Sequence, residues 1–112
     1  KKVTVNVIKN IMEQLYLMDK SNTNKEEMSH PVKHIIITNK NRPVLLDFER
    51  CHHVKNPGNI TQFCDFLISG RIVGLLKGKN IIISSRGMIS AAKNYRINQN
   101  RKNLAGILRE LK

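Results

Sequence analysis

Two short apolar runs, "HIIIT" at 34–38 and "PVLLDF" at 43–48, flank the polar turn "NKNR". Runs of this length around an Asn-containing turn predict a β-hairpin. Pro43 has no N–H to donate to a ladder, so its place is the start of a strand or an edge. The longer patterned segments of the chain carry helical spacing. One hairpin cannot close a barrel or build a sandwich; it must lie on a helical body. The expected fold class is therefore α+β, mainly α, with a helix first, then the hairpin, then several helices.

In "VTVNVIKNIMEQLYLMD", residues 3–19, Val5, Ile8, Met12 and Leu15 recur at steps of three and four, and Ile11 and Met18 widen the stripe. That spacing predicts an amphipathic helix whose β-branched start blurs its first residue. "KSNTNKEEMSH", 20–30, is polar, reads as a loop, and has nothing to contribute to a core. In "NPGNITQFCDFLISG", Asn56 is the expected N-cap, Pro57 suits the first helical position, and Ile60, Phe63, Cys64 and Leu67 share one face. Gly70 is the expected stop. "RIVGLLK", 71–77, predicts a short helix weakened by Gly74. "KNIII" is either a buried strand or an extended linker. Ser84 or Ser85 caps a further helix with Met88, Ala91, Ala92 and Tyr95 inward. A last helix over about 100–112 uses Leu104, Ile107, Leu108 and Leu111.

The chain has 112 residues, enough for one small domain, 1–112, with a modest core. Apolar residues make up 40%, and no run approaches the roughly 18 apolar residues of a membrane span. The opening "KKVTVNVIKN" lacks the apolar region of a signal peptide. The charge is lopsided: 20 Lys and Arg against 8 Asp and Glu, a formal +12. Residues 77–112 hold nine of the basic residues and one acid, Glu110, so this basic helical tail attracts phosphate-rich partners such as nucleic acid, or acidic proteins. The alternative for such a tail is a solvated Lys-rich face with no dedicated partner.

Two cysteines, Cys51 and Cys64, give no secreted disulfide framework, and a cytoplasmic location is expected. "CHH" at 51–53 with Cys64 invites a zinc reading. Structural zinc sites pair their ligands as C-x₂₋₄-C or H-x₃₋₅-H, and the adjacent His52 and His53 do not. Cys64, on the apolar helical face, is expected in the core.

The order of a helix, a polar loop with acids, a short strand, a turn and a strand ending in Asp-Phe resembles the C-terminal lobe of protein kinases. "KEEMSHPVKHIIIT" followed by "RPVLLDFERC" is most similar to the archaeal predicted serine/threonine protein kinases, a RIO-like small kinase family. The resemblance covers 3–69; the helical tail 70–112 carries weaker motifs. It implies that Asp47 takes the place of the Asp that binds the Mg²⁺ of ATP, with Phe48 beside it and Glu49 where Gly is usual. It implies that Glu27 is the catalytic acid that orients the substrate hydroxyl, with Glu26 as the alternative alignment. His34 falls where ordinary kinases carry a second metal ligand, and a His nitrogen is a poor ligand for hard Mg²⁺. Lys25 stands where a His is usual. Lys33 is in reach of a phosphate, or is a solvated Lys.

No Gly-rich loop or Val-Ala-Ile-Lys strand precedes the first helix, so the N-lobe that would cover the phosphates is absent from this sequence. The chain does not begin with Met, as expected of a fragment. Were it complete, ATP binding would be weak. The implied activity is phosphoryl transfer from Mg²⁺-ATP to Ser or Thr hydroxyls by the parent protein, with the isolated chain inactive. Two rival readings stay open: a basic nucleic-acid-binding helical module, and a pseudokinase scaffold.

Overall fold

The structure, a computed structural model, describes residues 4–24, 35–37, 43–45, 52–53, 55 and 57–111. It is mainly helical, and its first element is the amphipathic helix expected from the stripe. α1 spans Val5–Lys20, with Thr4 as N-cap accepting from the Val7 N–H through its hydroxyl. Its buried face is wider than the sequence stripe. Val7 and Tyr16 join Ile8, Ile11, Met12 and Leu15, while Val5 and Met18 are half-buried against the core. α1 ends in a tight turn in which Asn22 adopts φ 57, a left-handed conformation that Asn tolerates better than most residues.

That turn sends the chain into β1, Thr23–Asn24, which the polar composition of 20–30 conceals. β2, Ile35–Ile37, and β3, Pro43–Leu45, form the expected hairpin, antiparallel with Ile35 opposite Leu45, Ile36 opposite Val44 and Ile37 opposite Pro43. Pro43 is the first residue of its strand. β4, His52–His53, returns antiparallel to β1, pairing Thr23 with His53 and Asn24 with His52. The hairpin is tied to α1 by Gln14 Nε2, which donates to the Pro43 carbonyl at 2.9 Å.

α2, Asn59–Leu67, buries Ile60, Phe63, Cys64 and Leu67, the four residues of the expected face. Its N-cap is Gly58 rather than Asn56, which lies outside the described residues. Gly70 does not stop this helix. α2 ends at Leu67 in backbone that needs no left-handed residue, and Gly70 has no positive φ. It opens α3, Gly70–Lys77, behind Ser69 as N-cap.

The ambiguous "KNIII" is extended. After Asn80 at φ 62, Ile81 and Ile83 are buried and Ile82 is exposed, the alternation of a strand, and Ile83 bridges Leu111. α4, Ser85–Ile97, is capped by the Ser84 hydroxyl on the Gly87 N–H, with Met88 and Tyr95 buried and Ala91 and Ala92 half-buried against the core. α5, Arg101–Leu108, starts at the Asn100 cap and stops four residues short of the expected end, because the chain turns so that Leu111 can pair with Ile83. Leu104 and Ile107 join the same buried core, with α5 packed on α4. No described helix is long and apolar enough to cross a membrane.

Candidate functional site

Among the described residues, the best-defined polar chemistry sits where α1, β1, α2 and α4 meet. Asp19, in the last turn of α1, is only 2% exposed. A carboxylate there opposes the negative end of the α1 dipole, so its placement needs partners from elsewhere. They come from α2 and α4. The Tyr95 hydroxyl donates to Asp19 Oδ2 at 2.7 Å, the Asn59 side-chain amide to Oδ1 at 2.9 Å, and the Asn59 and Ile60 backbone N–H groups at 3.3 and 3.4 Å.

Those backbone donors are among the open N–H groups at the start of α2, whose own cap, Gly58, has no side chain to offer. Asp19 therefore caps α2 from another helix. Asn24 of β1 completes the work by accepting from the Gly58 N–H at 2.9 Å, and Asn59 Nδ2 donates in turn to the Thr23 carbonyl at 2.6 Å. The β1–β4 pair and the start of α2 are thereby fixed to the end of α1.

Burial raises the Asp19 pKa above its ordinary 3.8, against the pull of the Tyr95, Asn59 and Ile60 hydrogen bonds. Burial, with the bond to Asp19, also raises that of Tyr95. Tyr16 lies 6.4 Å from Tyr95, centroid to centroid, and the Arg101 guanidinium stands 4.5 Å over the Tyr16 ring while it bonds both carboxylate oxygens of Glu13.

Glu27 and its alternative Glu26, Lys33, His34 and Asp47 lie outside the described residues, as do Lys25, Phe48, Glu49 and Cys51. The structure does give the strands that frame them. Residues 25–34 run from β1 to β2, and residues 46–51 from β3 to β4. β1 pairs with β4 and β2 with β3, so both acid-bearing segments link the same two strand pairs. Asn24 faces His52 at one pair, and Ile35 faces Leu45 at the other.

Among the described residues no cluster of three or more His, Cys, Asp or Glu could hold a metal ion. Cys64 is a buried free thiol in the core, as its helical face implies. Burial, with Asp65 and Asp19 adding to it, pushes its pKa up to about 12. The thiolate is the reactive form, so Cys64 should resist labelling by a thiol reagent in the native protein and label fully in denaturant. Peptide mapping by mass spectrometry checks this; rapid native labelling at Cys64 would contradict the burial.

The buried Asp19 cluster is the functional-looking feature that sequence reasoning missed. Its one local signal is an acid in the last turn of a helix, where an isolated helix would disfavour it.

The fold thus defines the class: a mainly helical α+β protein with two small antiparallel strand pairs, joined in the chain by two acid-bearing segments. No family model matches the chain, and no curated protein matches it.

Proposed function

We propose that this chain is the metal- and hydroxyl-binding lobe of a phosphotransferase that moves the γ-phosphoryl group of ATP to a Ser or Thr hydroxyl. The observation that carries the reading is the pair of strand ladders. The segments bearing Glu27 and Asp47 start and finish at the same two ladders, an arrangement that supports their acting on one substrate. A phosphoryl-transfer site needs its acids fixed in place, because its catalysis is mostly positioning and electrostatics.

Asp47, two residues beyond β3, supplies the hard oxygen that Mg²⁺ requires. When bound, Mg²⁺ neutralises charge on the nucleotide phosphates. Asp47 would hold one such ion. His34, one residue before β2, offers nitrogen and suits shaping the pocket better than holding a second Mg²⁺. Glu27 orients the substrate hydroxyl and takes its proton as the hydroxyl oxygen forms its bond to the γ-phosphorus. The bond from that phosphorus to the bridging oxygen breaks and ADP leaves. Lys33 is placed in sequence to meet a phosphate oxygen.

The test uses the longest natural protein that contains this segment. Mg²⁺-dependent ATP binding and autophosphorylation are measured for it and for Asp47→Ala. ATP binding that is equally tight without Asp47 and without Mg²⁺ would defeat this assignment.

A further inference from the structure

We propose that a cationic recess between the end of α1, the β4–α2 connection and the α4–α5 turn binds a phosphate dianion. The recess has a volume of about 250 Å³, and its walls include Lys20, Lys55, Arg96, Asn22, Asn98 and Gln99. Three basic residues line it from three separate parts of the chain. Lys20 closes α1, Lys55 follows β4, and Arg96 is in the last turn of α4.

Among the described residues no carboxylate pairs with any of the three; the ion pair found there joins Arg101 to Glu13, elsewhere. The one acid on the recess wall is Asp19, and it is already committed. It is buried, and its two oxygens accept from Tyr95, Asn59 and Ile60. The three basic residues outnumber that single acid, so the recess carries net positive charge that a bound anion can offset.

The fold also holds the recess in shape. Lys20 Nζ reaches the Gln99 carbonyl at 3.4 Å, and Gln99 Nε2 donates to the Pro57 carbonyl at 2.7 Å, joining α1, the α4–α5 turn and the β4–α2 connection. The lining residues carry two ammonium groups, a guanidinium and the side-chain amides of Asn22 and Asn98. These are donors for a tetrahedral anion with several acceptor oxygens.

The geometry favours one multiply charged group over a polynucleotide. The three basic residues line a single recess, whereas a nucleic-acid backbone presents its charges one after another along a strand. A phosphate monoester, with about −1.5 to −2 charges near pH 7, matches the excess of positive charge, and Arg recognises its paired oxygens by two parallel bonds. Free inorganic phosphate and a phosphorylated hydroxyl offer the same chemistry. This site is independent of the phosphotransfer reading, because none of its residues lies in 25–51.

Calorimetric titration of the whole chain with inorganic phosphate, and separately with O-phosphoserine, tests the proposal at low ionic strength. Saturable binding of one dianion per chain is expected for at least one of the two. Tighter binding of phosphoserine identifies an ester as the source, and equal or tighter binding of inorganic phosphate identifies the free ion. In Lys55→Ala/Arg96→Ala, affinity should fall at least about tenfold, the effect of losing charge-assisted hydrogen bonds. Both residues are exposed, so the variant should keep its fold by circular dichroism. Lys77→Ala/Lys79→Ala, at the far end of α3, removes equal charge away from the recess and should bind as the parent does. Lack of saturation by either ligand, or an equal loss in the Lys77/Lys79 variant, would overturn the proposal. So would a short RNA that binds through Lys55 and Arg96 while phosphate does not.

Discussion

Asp19→Ala should destabilise the protein by about 2–4 kcal/mol, a large share of a small domain's stability. The carboxylate accepts from Tyr95, Asn59 and Ile60, and its removal leaves the Tyr95 hydroxyl and the first N–H groups of α2 without their acceptor in a buried place. Each such group costs about 1–3 kcal/mol when left unsatisfied, and water entering the space returns part of it. Tyr95→Phe removes one donor and leaves the capping bonds, so about 1–2 kcal/mol is expected. The two changes should not add. Once Asp19 is gone, the Tyr95 hydroxyl has lost the partner it served, and Tyr95→Phe should cost little or even help. Chemical denaturation of the two single variants and the double variant measures that coupling. Full additivity would mean that the hydroxyl and the carboxylate do not stabilise the fold through each other.

Asp19 also gives the stability a pH dependence of definite sign. Its folded pKa is raised by burial, so the folded protein holds this proton more tightly than the unfolded chain does. As pH climbs from below 3.8 through the higher folded value, the unfolded chain releases its proton first and stability declines. The contribution is fully present below the unfolded pKa and lost above the folded one. Asp19→Asn cannot titrate, so its unfolding free energy should fall less than the parent's across that window. Denaturant titrations at a series of pH values compare the two slopes, and a steeper fall in Asp19→Asn would reverse the sign argued from burial.

Asp47→Ala is expected to have the largest effect on activity. In the longest natural protein carrying this segment, phosphoryl transfer should drop by about 10²–10³-fold or more, the scale seen when a group that stabilises developing charge is removed. Mg²⁺ dependence of ATP binding should disappear with it. Thermal unfolding should move little, the outcome expected of a residue whose role is to hold a metal rather than to pack. That contrast separates the two large effects: Asp19→Ala lowers the melting temperature, and Asp47→Ala lowers metal-dependent nucleotide binding in a protein that still melts normally. A loss of activity accompanied by global unfolding would leave Asp47 a structural residue and defeat its metal assignment.

Several elements were legible because their causes are local. The stripe from Ile8 to Leu15, the face of Ile60, Phe63, Cys64 and Leu67, and the inward Met88 and Tyr95 follow from a 3.6-residue period acting on apolar side chains. Ser84 caps α4 because its hydroxyl meets an N–H three residues on. The hairpin was legible from two apolar runs and a polar turn.

Gly70 misled for an equally physical reason. Gly marks a helix end when left-handed backbone is needed, and the short break between α2 and α3 is made without any. β1 was hidden because Thr23 and Asn24 have no apolar period, and its partner lies some thirty residues on. Of the candidate site, the sequence supplied the residue types, and the described structure supplies the strand pairs on either side of them.

The sequence by itself determined the helical faces, the hairpin and the excess of positive charge, since these depend on neighbours within a few residues or on composition alone. Only the tertiary structure decided that β4 returns to β1, that Asp19 caps a helix forty residues away, and that Lys20, Lys55 and Arg96 meet around one recess. Such meetings depend on how packed elements are oriented in space, and no period or local hydrogen bond encodes that orientation. The Asp19 carboxylate shows the difference most directly. It is unfavourable at the end of its own helix and satisfied only where α2 and α4 arrive.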